Sequence, residues 1–415
     1  MKHFLGRLKI KLLIISAVIG PGLITAFADN DAGGVATYSV AASKFGYSML
    51  TVLIPITIVL MITQEIGSRI AVISGKGLAD LIRERYGVRI ALLVFALLFF
   101  VNFNVILQNI GGIKAAIQLF HFNAFFLLPL IVVGLFFFIT FASYTKIERF
   151  FLFLILFYLA YFASAVLAKP DWGLVAKSLF VPERKILSIS YLYTAVAVLG
   201  TTVTAWGQFF INSYIKDKKI TIEQLKINRF EIYVGAVLTD IFSLFMMVAV
   251  AATIFQNHII IRAADEAALA IQPFAGDLAF ILFGVGLFIA GCIGAAIVPL
   301  ATAYAFSEFF GYEGSLDQRF DKSKLFYGLF LFQIVLATII IMLPNISLFR
   351  ITLFADFLNG IFLPIIFFFL YRFVNNVEIM GEYRNNKLQN ILLVGAGIVI
   401  TIAALAGGMG ELLHL

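Results

Sequence analysis

Asp29, Asn30 and Asp31 place two carboxylates and an amide inside an apolar run long enough to cross a bilayer, and Gly33 and Gly34 follow at once. A carboxylate at that depth costs about 2.5 kcal/mol or more even on mild insertion scales, so it faces a cavity or a partner. The Gly pair weakens a helix where the charges sit, which predicts local unwinding. Asp31 then has two readings. With carbonyls released by the unwound turn, it makes an all-oxygen site for a hard cation. Alternatively it caps a half-helix starting near Gly33. Asp29 and Asn30 belong to the same stretch; Asp29 lines the approach or holds a water, or it pairs with a donor such as Arg69.

A second polar interruption runs from Val198 to Gln208, with Thr201, Thr202, Thr204, Trp206 and Gln208 between and beside Gly200 and Gly207. A single Thr in a membrane helix ordinarily bonds its own backbone or a neighbouring helix. The cluster with its flanking glycines predicts a second broken helix. Trp206 reads as a wall or gate, since indole is a poor metal donor.

Further polar residues lie in apolar spans: Gln64, Glu65 and Arg69; Asn102, Asn104, Gln108, Asn109 and Lys114; Asp240; and Arg350, Asp356 and Asn359. Glu65 and Arg69 are four apart and share a helix face, so they are expected to pair. Asp356 has only Arg350 as a local cation and reads as a site or pathway residue. His3, His121, His258 and His414 fall in loops or at termini, which excludes a His-based proton relay within the membrane. Cys292 is the sole cysteine, expected as a packed thiol, and no disulfide can form within the chain. An intramembrane aspartyl protease using Asp31 and Asp240 is the alternative from a different class, but Leu238 and Thr239 before Asp240 supply no Gly-rich active-site turn.

These residues need membrane-spanning elements to position them. Of 415 residues 62% are hydrophobic and 13% charged, against roughly 25% charged in a soluble domain. Apolar spans fall at about 11–45, 47–74, 90–119, 123–143, 149–168, 186–214, 230–256, 277–310, 325–343, 347–372 and 390–409. The expectation is an all-α polytopic membrane protein with eleven transmembrane helices in one domain, 1–415. Helices one to five occupy 1–168, six to ten 186–372, and helix eleven 390–409. The segment Ala263–Ile271 reads as a short outer helix. The basic N-terminus resembles a signal peptide, but its apolar run continues to Val40 without a small-residue cleavage site and is taken as mature protein. If the N-terminus is cytoplasmic, only Lys44, Lys169, Lys177, Arg184, Lys185 and Arg262 fall outside, and all other loop Lys and Arg fall inside. This predicts a plasma-membrane protein with the N-terminus in and the C-terminus out. The net charge of +7 belongs to these loops and indicates no nucleic-acid partner. The two interruptions lie five spans apart. An odd offset gives two five-helix units of opposite orientation, the inverted-repeat plan whose sites form where broken helices meet at the midplane.

Gly20-Pro21-Gly22, Asp31-Ala32-Gly33-Gly34 with Ala36-Thr37, and Phe45-Gly46-Tyr47 resemble the first helix of the NRAMP family of divalent metal transporters. Gln64, Gly75-Lys76-Gly77-Leu78-Ala79, Gly200–Val203 and Leu363-Pro364 extend the resemblance over most of the chain. It implies a LeuT-like 5+5 inverted repeat with helices 1 and 6 broken, and alternating access rather than catalysis. It also implies metal ligation by the Asp31 carboxylate and the carbonyls of Ala28 and Thr201. The family pattern Asp-Pro-Gly-Asn is here Asp31-Ala32-Gly33-Gly34, and Met-Pro-His is here Thr204-Ala205-Trp206. Gln108 and Gly111 stand where helix three carries proton-linked acids, and Asp356 stands at the usual helix-ten Gln.

The chain thus keeps the carboxylate and loses the amide and thioether ligands. A thioether favours transition metals over Mg²⁺. Its loss, with volume freed at Gly34 and Thr204, is expected to suit largely hydrated Mg²⁺, with Mn²⁺ also accepted. The absence of the family pattern's helix-three acids and helix-six His is expected to leave proton coupling weak. This pattern is similar to the NRAMP-related magnesium transporter branch. The metal-site candidates are Asp31, Ala28, Thr201, Thr204, Gly34, Asp29, Asn30 and Asp356, and the pathway or gate candidates are Trp206, Gln208, Gln64 and Gln108. No cofactor is expected; the partners are the transported ion and the bilayer, with a monomer as the simplest unit. The competing readings are a proton-coupled Mn²⁺/Fe²⁺ symporter and a sodium–amino-acid symporter of the same fold, whose substrate carboxylate Asp31 would repel.

Overall fold

In the computed structural model the described residues are 25, 28–141, 159–183, 187–312, 314–316, 318, 320–344 and 346–412. Gly20-Pro21-Gly22, the basic N-terminus, Lys146, Arg149, Arg184, Lys185, Arg319, His414 and the start of the fifth expected span lie outside them, as does the side chain of Arg350. The long elements are α1 (Ala32–Phe45), α2 (Leu53–Ser74), α3 (Leu78–Leu119), α4 (Ala124–Phe141), α5 (Leu159–Leu167), α6 (Trp172–Phe180), α7 (Ile189–Thr202), α8 (Ala205–Asp217), α9 (Leu225–Val250), α10 (Ala279–Phe310), α11 (Lys324–Ile341), α12 (Leu348–Val374) and α13 (Lys387–Leu412). The predicted short outer helix appears as Ala264–Ala268 followed by a 3₁₀ turn to Ile271.

Among the described residues nine helical stretches are long and apolar enough to span a membrane. They do not establish the expected eleven, for two reasons. Ala32–Ser74 counts once although it joins the second half of span one to span two through a 3₁₀ turn, and of span five only α5 is described. Span three begins earlier than its apolar run: α3 opens at Leu78 with an amphipathic turn and bends at Gly87, where φ is 79°.

Burial sorts the helices into centre and rim. The apolar window of the α7–α8 stretch is 94% buried, against 22% for α4 and α13. Phe125, Phe126, Phe137 and Phe141 on α4 stay exposed, a surface suited to lipid rather than water. Every residue of α1 from Ala32 to Ala42 is buried. α1 packs against α3, α7, α9, α10 and α12, so its N-terminus is held at the middle of the bundle. α7 approaches α12 closely because Gly200 has no side chain; a Cβ there would lie 1.9 Å from Asp356 O.

Candidate metal site

Two helix breaks face each other at the centre, and each is built by the same device. At the first, Asp31 is the N-cap of α1: its Oδ1 accepts from Gly34 N–H at 3.0 Å. The N–H of Ala32 does not continue the helix but donates to Asn109 Oδ1 on α3 at 3.2 Å. At the second, α7 stops at Thr202 and Thr204 is the N-cap of α8, its Oγ1 accepting from Gly207 N–H at 3.1 Å. There the N–H of Ala205 donates to Asn359 Oδ1 on α12 at 2.8 Å. In an uninterrupted α-helix those two N–H groups would take the carbonyls four residues earlier. Those are Ala28 and Thr201, so both carbonyls are released from the helical ladder where a cation could use them.

The side chains between the breaks carry oxygen and nitrogen only. Asp31 Oδ2 accepts from Asn109 Nδ2 at 2.6 Å. Asp31 is thus the cap of α1, and its second carboxylate oxygen is held by Asn109. Thr204 Oγ1 donates to Asp29 Oδ1 at 3.1 Å, joining the two breaks directly. Asp29 Oδ2 has no hydrogen-bond partner although the residue is 2% exposed. Asn30 turns the other way and ties the first break to α9: Nδ2 donates to Thr239 Oγ1 at 2.6 Å, and Oδ1 accepts from Ser243 at 3.0 Å. Asp356 on α12 accepts from Thr37 at 2.5 Å and is close enough to Asp31 for the charges to repel. Thr352 links this corner to Gly33 O at 3.2 Å, and Gln108 Nε2 donates to Thr352 Oγ1 at 3.2 Å. Among the described residues no salt bridge reaches Asp29, Asp31 or Asp356.

Most expected site residues therefore converge. Two expectations change. Arg69 does not serve Asp29; it pairs with Glu65 at 3.0 Å, as the four-residue spacing predicts, and with Asn385 and the Tyr383 carbonyl. Glu65 also takes Arg229 at 2.7 Å, so this ion-pair group is self-contained. Gly34 does not open space for a hydrated ion. A Cβ there would meet the Asp29 carbonyl at 2.6 Å, so the glycine lets the unwound chain fold back onto α1.

The pathway candidates are buried. Trp206 is 0% exposed and packs against Phe210 with ring centroids 6.2 Å apart. Gln64 on α2 and Gln208 on α8 each have both amide atoms without a hydrogen-bond partner. Asp31 and Asp240 share no hydrogen bond among the described contacts, so no aspartyl dyad forms. Asn109 and Asn359 were visible in the sequence only as buried amides. Their partners lie 77 and 154 residues away, and no local pattern pairs them.

Known proteins resemble this chain in sequence and in fold. A curated relative, "Divalent metal cation transporter MntH" of Ralstonia nicotianae, is 26% identical over 410 residues, covering 93% of this chain and 89% of its own. The crystal structure of the Eremococcus coleocola manganese transporter superposes with a TM-score of 0.74 at 16% identity, covering 94% of this chain and 86% of that one. Mhp1, a nucleobase-cation-symport-1 family transporter, shares the fold more distantly, at TM-score 0.59 and 13% identity over 94% of this chain and 92% of that one. These place the architecture among the LeuT-like transporters with broken helices 1 and 6. The profile of the Natural resistance-associated macrophage protein-like family, Nramp, matches residues 22–409, and the chain belongs to that family.

Proposed function

We propose that this protein carries divalent metal cations across a membrane by alternating access, with the ion held between the two helix breaks. The observation that carries this reading is the pair of released carbonyls, Ala28 and Thr201, beside buried carboxylates without a basic partner. Asp31 supplies the carboxylate, aimed by Asn109. Asp29 offers its unpartnered Oδ2, and Thr204 offers a hydroxyl oxygen that already bridges the breaks. Asp356 adds negative charge from the α12 side, with Gln108 held nearby through Thr352. Asn30 anchors the first break to α9. Trp206 closes the wall, and the unsatisfied amides of Gln64 and Gln208 suit a path along which the ion or its waters pass.

An all-oxygen donor set suits hard cations, which favours Mg²⁺ with Mn²⁺ accepted. The support for Mg²⁺ is the missing thioether at Thr204; Gly34 adds no volume and drops out of the argument. A second reading is a proton-coupled Mn²⁺/Fe²⁺ symporter; the likeness to the Eremococcus coleocola manganese transporter favours its choice of Mn²⁺. The Lys and Arg distribution supports a cell membrane location with the N-terminus cytoplasmic. Proteoliposome flux with Mg²⁺, Mn²⁺ competition and a lumenal pH dye tests the proposal. Mg²⁺ entry without acidification is expected; Mg²⁺ exclusion with acidification during Mn²⁺ entry establishes the second reading instead.

A further inference from the structure

Asp240 is a buried carboxylate that the site above does not use. It lies on α9 at 5% exposure, and neither of its oxygens has a hydrogen-bond partner. Thr57 faces it from α2, but the Thr57 hydroxyl donates to Leu53 O at 2.9 Å. From α1, Tyr38 lies within range of the Asp240 charge; its hydroxyl meets Thr202 Oγ1 at 2.6 Å and has Ser243 beside it. Asp29 feels the same charge, and its Oδ2 is likewise unpartnered. Among the described residues no salt bridge reaches Asp240 or Asp29.

A carboxylate taken out of water needs donors or a cation. Here both oxygens of Asp240 and one of Asp29 have neither, while the Tyr38 hydroxyl is engaged with Thr202 and the Thr57 hydroxyl with the Leu53 carbonyl. Open carboxyl oxygens at such a position are available to a proton or to a hard cation, whose ligands are oxygens. Asp240 neighbours Thr239, which holds Asn30, and it acts on Tyr38, seven residues beyond Asp31 on α1. Through Asn30, which bonds Thr239 and Ser243, the group adjoins the first break on its α9 side.

We propose that Asp240 forms a second cation station on the α9 side of the first break, sharing the open oxygen of Asp29 with the site between the breaks, and that a divalent ion occupies it on its way to or from Asp31. This rests on the divalent-transport reading. The station raises the capture of a dilute ion, so its loss appears in affinity more than in maximal rate.

The test uses the full chain in liposomes and in detergent, with Mn²⁺ as the probe. Asp240→Asn keeps the side-chain shape and removes the charge. It is expected to raise KM for Mn²⁺ by about tenfold, the scale on which losing a supporting ligand weakens metal sites, with maximal rate close to wild type. Equilibrium binding, read from the paramagnetic resonance of free Mn²⁺, is expected to weaken by a similar factor. Asp240→Glu, which keeps the carboxylate, is expected to retain most of the affinity. Unchanged Mn²⁺ affinity in Asp240→Asn overturns the station, and Asp240→Ser gives the same readout should the Asn variant fail to fold. Wild type that neither binds nor moves Mn²⁺ brings down the transport reading and the station with it, a result distinct from a silent Asp240→Asn.

Discussion

Asn109 both orients the Asp31 carboxylate and takes the N–H of Ala32, so one side chain aims the proposed ligand and releases the Ala28 carbonyl. Asn109→Leu keeps the bulk and removes both bonds. An unsatisfied buried group costs roughly 1–3 kcal/mol, and more when charged, so a lower thermal midpoint in detergent is expected together with loss of divalent uptake. A midpoint equal to wild type would show that the amide holds nothing. Thr204 is tested by selectivity. Thr204→Met restores a soft donor and is expected to raise Mn²⁺ preference over Mg²⁺; unchanged competition by Mg²⁺ would remove the thioether argument. The same change loses the cap on Gly207 and the bond to Asp29, at about 1 kcal/mol for the cap, so some loss of stability accompanies it. At this scale the sequence displays the costly carboxylates, because charge inside an apolar span is visible from composition alone. It hides the amides that serve them, because Asn109 and Asn359 reach across the bundle rather than along a helix.

The breaks themselves are legible, since Gly33–Gly34 and Gly200 with the Thr cluster mark where helix is weak. Their tightness is not. Gly34 reads as lost volume in the sequence, whereas the chain uses it for close approach, with the Asp29 carbonyl 2.6 Å from the missing Cβ. Gly200 does the same between α7 and α12, against the Asp356 carbonyl at 1.9 Å. Both neighbours are backbone and cannot rotate away. Gly200→Ala is expected to push α12 from α7 at a cost of about 1–3 kcal/mol, the range for overpacking a dense interior. The check is the thermal midpoint alongside flux; both are expected to fall, and an unshifted midpoint would show that the two helices are not pressed together.

For the whole molecule, hydropathy and length already dictate a polytopic bundle, and the five-span offset of the breaks already indicates the inverted repeat. Span three's early start and the joining of span one to span two were hidden, because a juxtamembrane amphipathic turn and a 3₁₀ connection leave no gap in the helix pattern. A divalent ion moving inward down 100 mV gains about 4.6 kcal/mol, twice the single-charge value, so uptake into vesicles with a potassium-diffusion potential, inside negative, is expected to accelerate without lumenal acidification. Flux indifferent to voltage would contradict a carrier that moves net charge. The most direct test of the central claim is divalent flux by Asp31→Ala reconstituted beside wild type, with insertion of both verified. Mg²⁺ and Mn²⁺ uptake is expected in wild type and none above empty liposomes in Asp31→Ala; undiminished flux in the variant would contradict ion binding at Asp31.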